Sequence, residues 1–414
     1  EGPQYRIGWI VVAGNTLTAE KVITRASKLH PDDPYNPEAI LEAQQRLYAL
    51  GIFNRVEIVT IDQDLGPFKN LLIQIEDAKP ILLTPGFGVT ELSAGGPSVG
   101  PRATIELSDN NLFGLNRTVS FRVRGGYHER QFQTSYRDPR LINHDLEGIA
   151  SLSFDKSDHR CGPECSYKAN DINVSLRVTR QLTKKQTLSF SAIHNTVHLE
   201  DANSNPNLGL FPNETGAIQL ARLESSYLWE RRDSAIDPTH GTFTTADFQV
   251  ADKRLGSSVN FLSFFNQTSF YTPASVGVIA SSIRIGWKRP YGGDTKLPIS
   301  EQFFAGGSTT LRGFRLNEAG PPGGGQVLTI ANLEYRVPLS FLPLKNLGGA
   351  LFYDTGNVFD NVSKFVLPQF TQTVGTGLRY KTPLGPIRVD LGYNLRPKPD
   401  VQRYRVFFTL GHAF

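Results

Sequence analysis

The amino-acid sequence predicts a mainly β protein, a sixteen-stranded antiparallel transmembrane β-barrel preceded by one small α+β unit of order β-α-α-β-β. Three observations predict it. The hydrophobic period changes from helical to strictly alternating near residue 80. The connectors between alternating runs are long on one side and short on the other. No run approaches the ~18 apolar residues of a transmembrane helix, so any crossing falls to strands.

Composition sets the outer bounds. The chain has 414 residues, with 43 Lys+Arg, 39 Asp+Glu and a net charge of +4. No block of like charge forms a nucleic-acid tail, so no nucleic-acid partner is expected. The mean hydropathy of −0.26 reads as soluble taken alone. A barrel alternates apolar and polar residues, so its average misleads. The chain starts at Glu1 with no basic-then-apolar signal segment, which points to a removed signal or an internal start.

In the first unit, Tyr5–Val12 (YRIGWIVV) is a β-rich run that ends at Ala13-Gly14-Asn15-Thr16, a turn that also offers a helix cap. Val22, Ile23, Ala26 and Leu29 then recur at helical spacing. A second helix is marked by Ile40, Ala43, Leu47 and Leu50, with Asn36 as cap, Pro37 at its first position and Gly51 as its stop. Phe53–Ile61 and Leu71–Ile75 read as strands. The small sheet has open edges, and an open edge can accept a strand through backbone hydrogen bonds. The alternative is a structural spacer. The boundary is placed at 1–78, with the barrel over 79–414.

Beyond it the period is two. Ile387, Val389, Leu391, Tyr393 and Leu395 alternate with Arg388, Asp390, Gly392 and Asn394. Val374, Thr376, Leu378 and Tyr380 alternate with Gly375, Gly377, Arg379 and Lys381. Ile279, Ile283, Ile285 and Trp287 share a face opposite Arg284, Gly286 and Lys288. A soluble sandwich alternates too, so alternation alone does not decide. Connectors help. The longest, 199–216 and 290–325, each join an odd strand to the next even one, whereas Gln181–Lys185 and Pro383–Gly385 are short even-to-odd links. Long outside, short inside is the outer-membrane pattern.

A barrel this wide is not filled by its own side chains. The inward-folding candidate is the 290–325 loop, with AGGSTTLRGF (Ala305–Phe314) and then PPGGG. Arg312 within it would be a charge in a partly dry lumen and would need carboxylates, for which Glu334 and Asp354 on the next two strands are candidates. The alternative is a solvent-exposed loop arginine. The first strand carries Pro85, Gly86 and Gly88, and the last carries Gly411 and ends at Phe414. Proline lacks a ladder donor and glycine weakens a strand, so this seam is either weakly zipped or merely bent at a rim. Cys161 and Cys165 in CGPEC suit a short-loop disulfide in an oxidising compartment, with free thiols as the alternative. They are too few for a zinc site, and neither metal nor cofactor is expected.

AGGSTTLRGF, with Leu311, Arg312, Gly313 and Phe314, resembles the [VIL]RGF loop motif of the BamA/TamA superfamily of outer-membrane protein assembly factors. FYDTGNVFD (Phe352–Asp360), DNNLFGLNR (Asp109–Arg117), RRDSAIDPTHG (Arg231–Gly241) and the final VFFTLGHAF (Val406–Phe414) resemble further motifs of that family, in its order. GNT followed by QRLYALGIFNRVEI is similar to a POTRA domain, the polypeptide-transport-associated module. The resemblance implies that Arg312 docks inside the barrel against Glu334 and Asp354. It implies a bacterial outer-membrane location with the N-terminal unit in the periplasm, and a non-enzymatic insertase acting near the seam of first and last strands. Its implied partners are unfolded outer-membrane proteins, outer-membrane lipids, and periplasmic chaperones or accessory lipoproteins. Family members with longer POTRA arms leave the subfamily open. A two-partner-type secretion pore is the alternative. A barrel lipase is disfavoured because Gly306-Gly307-Ser308-Thr309-Thr310 misses GxSxG at its last position.

Overall fold

The computed structural model describes residues 5–61, 66–91, 99–127, 129–162, 165–204, 217–339, 346–383, 385–397 and 402–414. The first elements are β1 (Arg6–Ala13), α1 (Glu20–Ser27), α2 (Pro37–Tyr48), β2 (Phe53–Ile61) and β3 (Phe68–Asp77). Their sheet has the order β1-β3-β2, with β1 parallel and β2 antiparallel to β3. The β-α-α-β-β order is the predicted one. Asn36 caps α2, its Oδ1 accepting from the Glu38 amide at 2.9 Å, and Pro37 sits where no amide partner is needed. The apolar stripes of both helices close on the sheet, burying Ile23, Leu47, Val56 and Ile73 completely. Each such side chain contributes roughly 1.5–3 kcal/mol. Gln44 Nε2 donates to the Val56 carbonyl at 2.8 Å and the Tyr48 hydroxyl accepts from the Val56 amide at 3.1 Å, pinning α2 to β2.

The start of α1 departs from expectation. Its cap position is Ala19, which has no side-chain cap, and neither Asn15 nor Thr16 caps it. Asp77 at the end of β3 takes those groups instead. It accepts from the Thr18 hydroxyl at 2.5 Å, the Leu17 amide at 2.7 Å and the Thr16 hydroxyl at 3.2 Å. Burial alone would raise the Asp77 carboxyl, but these donors outweigh it and hold it below the usual carboxylate range. Leu29 also falls beyond α1, after Lys28 in the left-handed region, yet is buried.

The remaining strands are β4 (Ile81–Glu91), β5 (Val99–Leu112), β6 (Arg117–Gly126), β7 (Glu129–Asp138), β8 (Glu147–Gly162), β9 (Cys165–Thr183), β10 (Gln186–Ser204) and β11 (Ala217–Glu230). They continue as β12 (Gly241–Ala251), β13 (Phe261–Pro273), β14 (Val278–Pro290), β15 (Val327–Pro338), β16 (Leu347–Phe359), β17 (Thr371–Tyr380), β18 (Ile387–Asn394) and β19 (Tyr404–Leu410). They form one 16-stranded sheet in sequence order, with β4 and β19 at its two ends. The registers of β9 through β19 are antiparallel, strand to next strand.

The two faces of β14–β18 settle what alternation left open. Leu333 and Leu351 are 49% and 62% exposed, while Glu334 and Asp354, on the same two strands, are 0%. Ile279, Ile283, Leu378, Val389 and Leu391 share the exposed side, and Ser282, Arg284, Asn332, Arg379, Arg388 and Asp390 are buried opposite. A water-soluble sheet does the reverse. An apolar outside over a charged inside is what a hydrocarbon solvent requires.

Candidate functional site

The link between β14 and β15 is a self-bonded loop. Phe303 and Gly325 exchange backbone hydrogen bonds at its neck, at 2.8 and 3.0 Å, and the Ala319 amide donates to Ala305 O at 2.9 Å. Gly306 has φ +113°, and a Cβ there would lie 2.3 Å from the Arg315 carbonyl oxygen, so only glycine fits. The Thr310 hydroxyl accepts from the Gly306 amide and donates to its carbonyl, at 2.9 and 2.8 Å. Ala305, Leu311, Phe314 and Ala319 are thereby turned onto Leu328, Ile330 and Val358 of β15 and β16 as one apolar cluster.

That seating delivers Arg312 to a fully buried position. Its Nε and Nη2 fork onto Asp354 Oδ2 and Oδ1 at 2.9 and 2.8 Å, and its own amide donates to Oδ2 at 3.2 Å. Nη1 donates to Glu334 Oε2. The guanidinium lies over the Phe352 ring, 3.5 Å from its centroid. A planar donor fork between two carboxylates and an aromatic face is a fit lysine does not reproduce.

The cluster continues onto residues that sequence reasoning did not assign to it, on β15 itself and on β14, β17 and β18. Arg336 Nε donates to Glu334 Oε1 at 2.9 Å, and Arg379 Nη1 to Asp390 Oδ1 at 2.5 Å. Arg388 joins Asp390 Oδ2 at 3.1 Å and the Ser308 carbonyl at 2.9 Å. Asn332 Nδ2 bridges Asp354 Oδ1 and the Thr310 carbonyl, at 2.9 and 2.6 Å. Arg284 Nη1 donates to Thr309 O at 2.5 Å. Thus β14, β15, β16 and β18 each hold the loop by a side chain, and Arg379 of β17 closes the ring of charges. The available signal was the charge at alternate positions of 371–382 and 386–395; the register, which sets Arg379 opposite Arg388, was not readable.

The seam residues separate. Pro85, Gly86 and Gly88 lie in β4 at one end of the sheet order. Gly411 follows β19 with φ +87° and turns the chain away. Phe414 sits beyond the ladder, where its carbonyl oxygen accepts from the Tyr271 hydroxyl of β13 at 2.9 Å. Ala413 O accepts from Arg284 Nη2 at 3.3 Å. The side chains of Cys161 and Cys165 lie outside the described residues.

A second charged junction holds this tail. Asp237, in the link between β11 and β12, meets His412 Nε2 at 3.1 Å and Lys381 Nζ at 2.7 Å. The His412 bond, opposed by partial burial and reinforced by Lys381, holds the Asp237 carboxyl well below its usual range. A depressed carboxylate stabilises above its unfolded pKa, and that contribution is lost as pH falls through the folded value. The protection of Gly411–Phe414 against hydrogen exchange, relative to the intrinsic rate at each pH, should therefore fall as pH drops below about 4. Asp237→Asn should quicken exchange there at neutral pH by roughly fivefold, the equivalent of about 1 kcal/mol for a screened, one-third-exposed pair. Unchanged exchange in the variant would remove Asp237 from the tail's anchorage.

Among the described residues no group of three or more His, Cys, Asp or Glu is arranged to hold a metal ion. Residues 111–414 match the family model described as the Omp85 superfamily domain, and residues 5–77 match the POTRA model described as a surface antigen variable number repeat. The outer membrane protein assembly factor BamA of Neisseria meningitidis serogroup B is 23% identical over 467 residues, covering 100% of this chain and 57% of that protein. The chain spans a little over half the length of the BamA relatives it matches. BamA from Haemophilus ducreyi lacking POTRA domains 1–3 superposes with a TM-score of 0.82 at 17% identity, covering 99% of this chain and 85% of that one. CdiB from Acinetobacter baumannii superposes with a TM-score of 0.58 at 15% identity, over 99% and 74%.

Proposed function

The chain belongs to the Omp85 superfamily, and from that membership we propose that it is an outer-membrane protein assembly factor, an insertase that helps β-barrel proteins fold into the outer membrane. It is an outer-membrane protein with its N-terminal unit in the periplasm. Residues 1–78 form the periplasmic arm and 79–414 the barrel, with the 290–325 loop folded inward. Its substrates are unfolded outer-membrane proteins, delivered by periplasmic chaperones or accessory lipoproteins. We assign it no catalytic residue and no cofactor.

The observation that carries this reading is the docked Arg312. The loop braces β14–β18 from inside, so that part of the sheet is stiff. At the opposite end of the sheet order, β4 contains a proline with no ladder donor and two glycines, which weaken a strand. Asymmetric stiffness favours opening at β4 and β19, where an incoming strand can pair with freed backbone groups. No GxxxxGK[ST] nucleotide loop occurs in the sequence. Insertion then draws on the substrate's own folding free energy.

The test is to cross-link the seam. In a Cys161→Ser, Cys165→Ser background, paired cysteines along β4 and β19 are oxidised and insertion of a model barrel into liposomes is followed. Insertion should fall by an order of magnitude and return on reduction, with heat-modifiable mobility unchanged throughout. Full activity of the oxidised form would refute opening at this seam.

A further inference from the structure

The helix α1 and the residue after it present Lys21, Arg25 and Lys28 at spacings of four and three, all exposed, so they form one basic stripe. The stripe borders a cavity of about 320 Å³ that Arg46 of α2 also lines. Arg117 and Arg140, at the ends of the β5–β6 and β7–β8 links, complete its wall. Six basic side chains and two carboxylates, Asp138 and Asp145, line it; both carboxylates are already engaged, and Arg46 is paired outside the cavity with Glu42 at 3.2 Å. Arg117 Nε meets Asp138 at 2.9 Å and Arg140 Nη2 meets Asp145 at 2.9 Å. The cavity is strongly cationic and apolar at its floor, where Val22, Ala26 and Leu50 lie.

The same two links that supply residues 115–117 and 138–140 to its wall each carry an exposed apolar side chain. Phe113 in the β5–β6 link and Ile142 in the β7–β8 link are 82% and 80% exposed. Both have left-handed backbone, with φ +55° and +52°. Such a conformation costs a non-glycine residue free energy, most of all a β-branched one. Burial of the side chain does not offset that cost, because both side chains are exposed. The two links alternate along a sheet that runs in sequence order, so they fall at the same end of it. The Ala19 amide donates to Gly114 O at 2.9 Å, which seats the start of α1 on the β5–β6 link.

We propose that this corner is a binding site for anionic phospholipid at the periplasmic rim of the membrane. Phe113 and Ile142 enter the interfacial layer, and a phosphate headgroup occupies the cavity beside Lys21, Arg25 and Lys28. Apolar wedges beside a cationic stripe are complementary to an anionic bilayer surface. The inference rests on the outer-membrane reading above and adds which lipid is held, and where.

The full chain is reconstituted in nanodiscs of phosphatidylcholine, with and without phosphatidylglycerol, and hydrogen exchange is followed over 19–28, 109–117 and 138–147. Phosphatidylglycerol should slow exchange in all three segments, and raised salt should reverse part of the effect. The triple variant Lys21→Gln, Arg25→Gln, Lys28→Gln should lower apparent affinity for phosphatidylglycerol at least tenfold. Ile142→Asn relieves the backbone and should fold at least as well, yet lose protection over 138–147. Exchange indifferent to phosphatidylglycerol, in discs where the strands remain protected, overturns the lipid site and leaves the membrane reading standing. Strands unprotected in every disc overturn both. Equal protection by inorganic phosphate in phosphatidylcholine discs overturns the lipid assignment in favour of a simple anion site.

Discussion

Arg312→Ala should release the loop from the strands and abolish most insertion activity. The substitution removes one cation from a site where the carboxylates are fully buried. Glu334 keeps Arg336 and Arg379, and Asp390 keeps Arg379 and Arg388. Asp354 loses its fork and its only cation, and retains Asn332 at 2.9 Å, Thr373 at 3.4 Å and, while the loop stays docked, the residue-312 amide at 3.2 Å. Breaking a buried pair from one side costs about 3–5 kcal/mol, because the orphaned charge stays out of water. That corresponds to a shift of roughly two to four orders of magnitude in the docking equilibrium. The loop then has a reason to lift, since undocking lets water reach Asp354. Exchange over Ala305–Phe314 should rise accordingly, and heat-modifiable mobility should change. Arg312→Lys should not rescue, as one ammonium cannot serve both oxygens of Asp354 and also reach Glu334. A second substitution, Asp354→Asn, should cost much less when combined with Arg312→Ala than alone, because the two changes share one interaction. Native exchange over the loop together with native insertion would exclude Arg312 from the mechanism.

How much of this was legible before folding depends on the range of each interaction. Strand positions were readable because alternation assigns a face locally, residue by residue. Asn36-Pro37 was readable because a cap needs only its own next turn. Arg312 was readable as a residue demanding carboxylates, and Glu334 and Asp354 were near enough in sequence to nominate. The rest depends on distant partners. Thr16 looked like a cap for α1, but Asp77, some sixty residues later, competes for its hydroxyl and wins. The final run looked like strand to its last residue. It stops at Leu410 because Gly411 turns and side chains of β13 and β14 capture the carbonyls of Phe414 and Ala413. Nothing local to those residues signals such donors. Arg379, Arg388 and Asp390 were visible as charges on the polar face, but their convergence on one cluster needs the register of β17 on β18 and the path of the loop.

Gly392→Ala separates the position of the loop from its charges. Gly392 lies on β18 between Asp390 and Asn394, and its α-carbon backs onto the loop's main chain. A Cβ placed there would be 1.9 Å from the Arg312 carbonyl oxygen and 2.5 Å from its carbonyl carbon. No flexible side-chain end can yield, since both atoms are backbone. All five arginines and three carboxylates remain. The cost should reach or exceed the upper end of the roughly 1–3 kcal/mol of ordinary overpacking. The loop is the element that gives, because β18 is held in its ladder on both sides, by β17 and β19. Gly125→Ala on β6 is the control, with nothing within 4 Å of its Cβ, and should behave as wild type. Gly392→Ala should therefore reproduce the exchange and insertion defects of Arg312→Ala with every ion pair still available. If instead its loop lifts while insertion stays intact, the buried arginine serves only stability, and the brace that favours opening at β4 must lie elsewhere in the sheet.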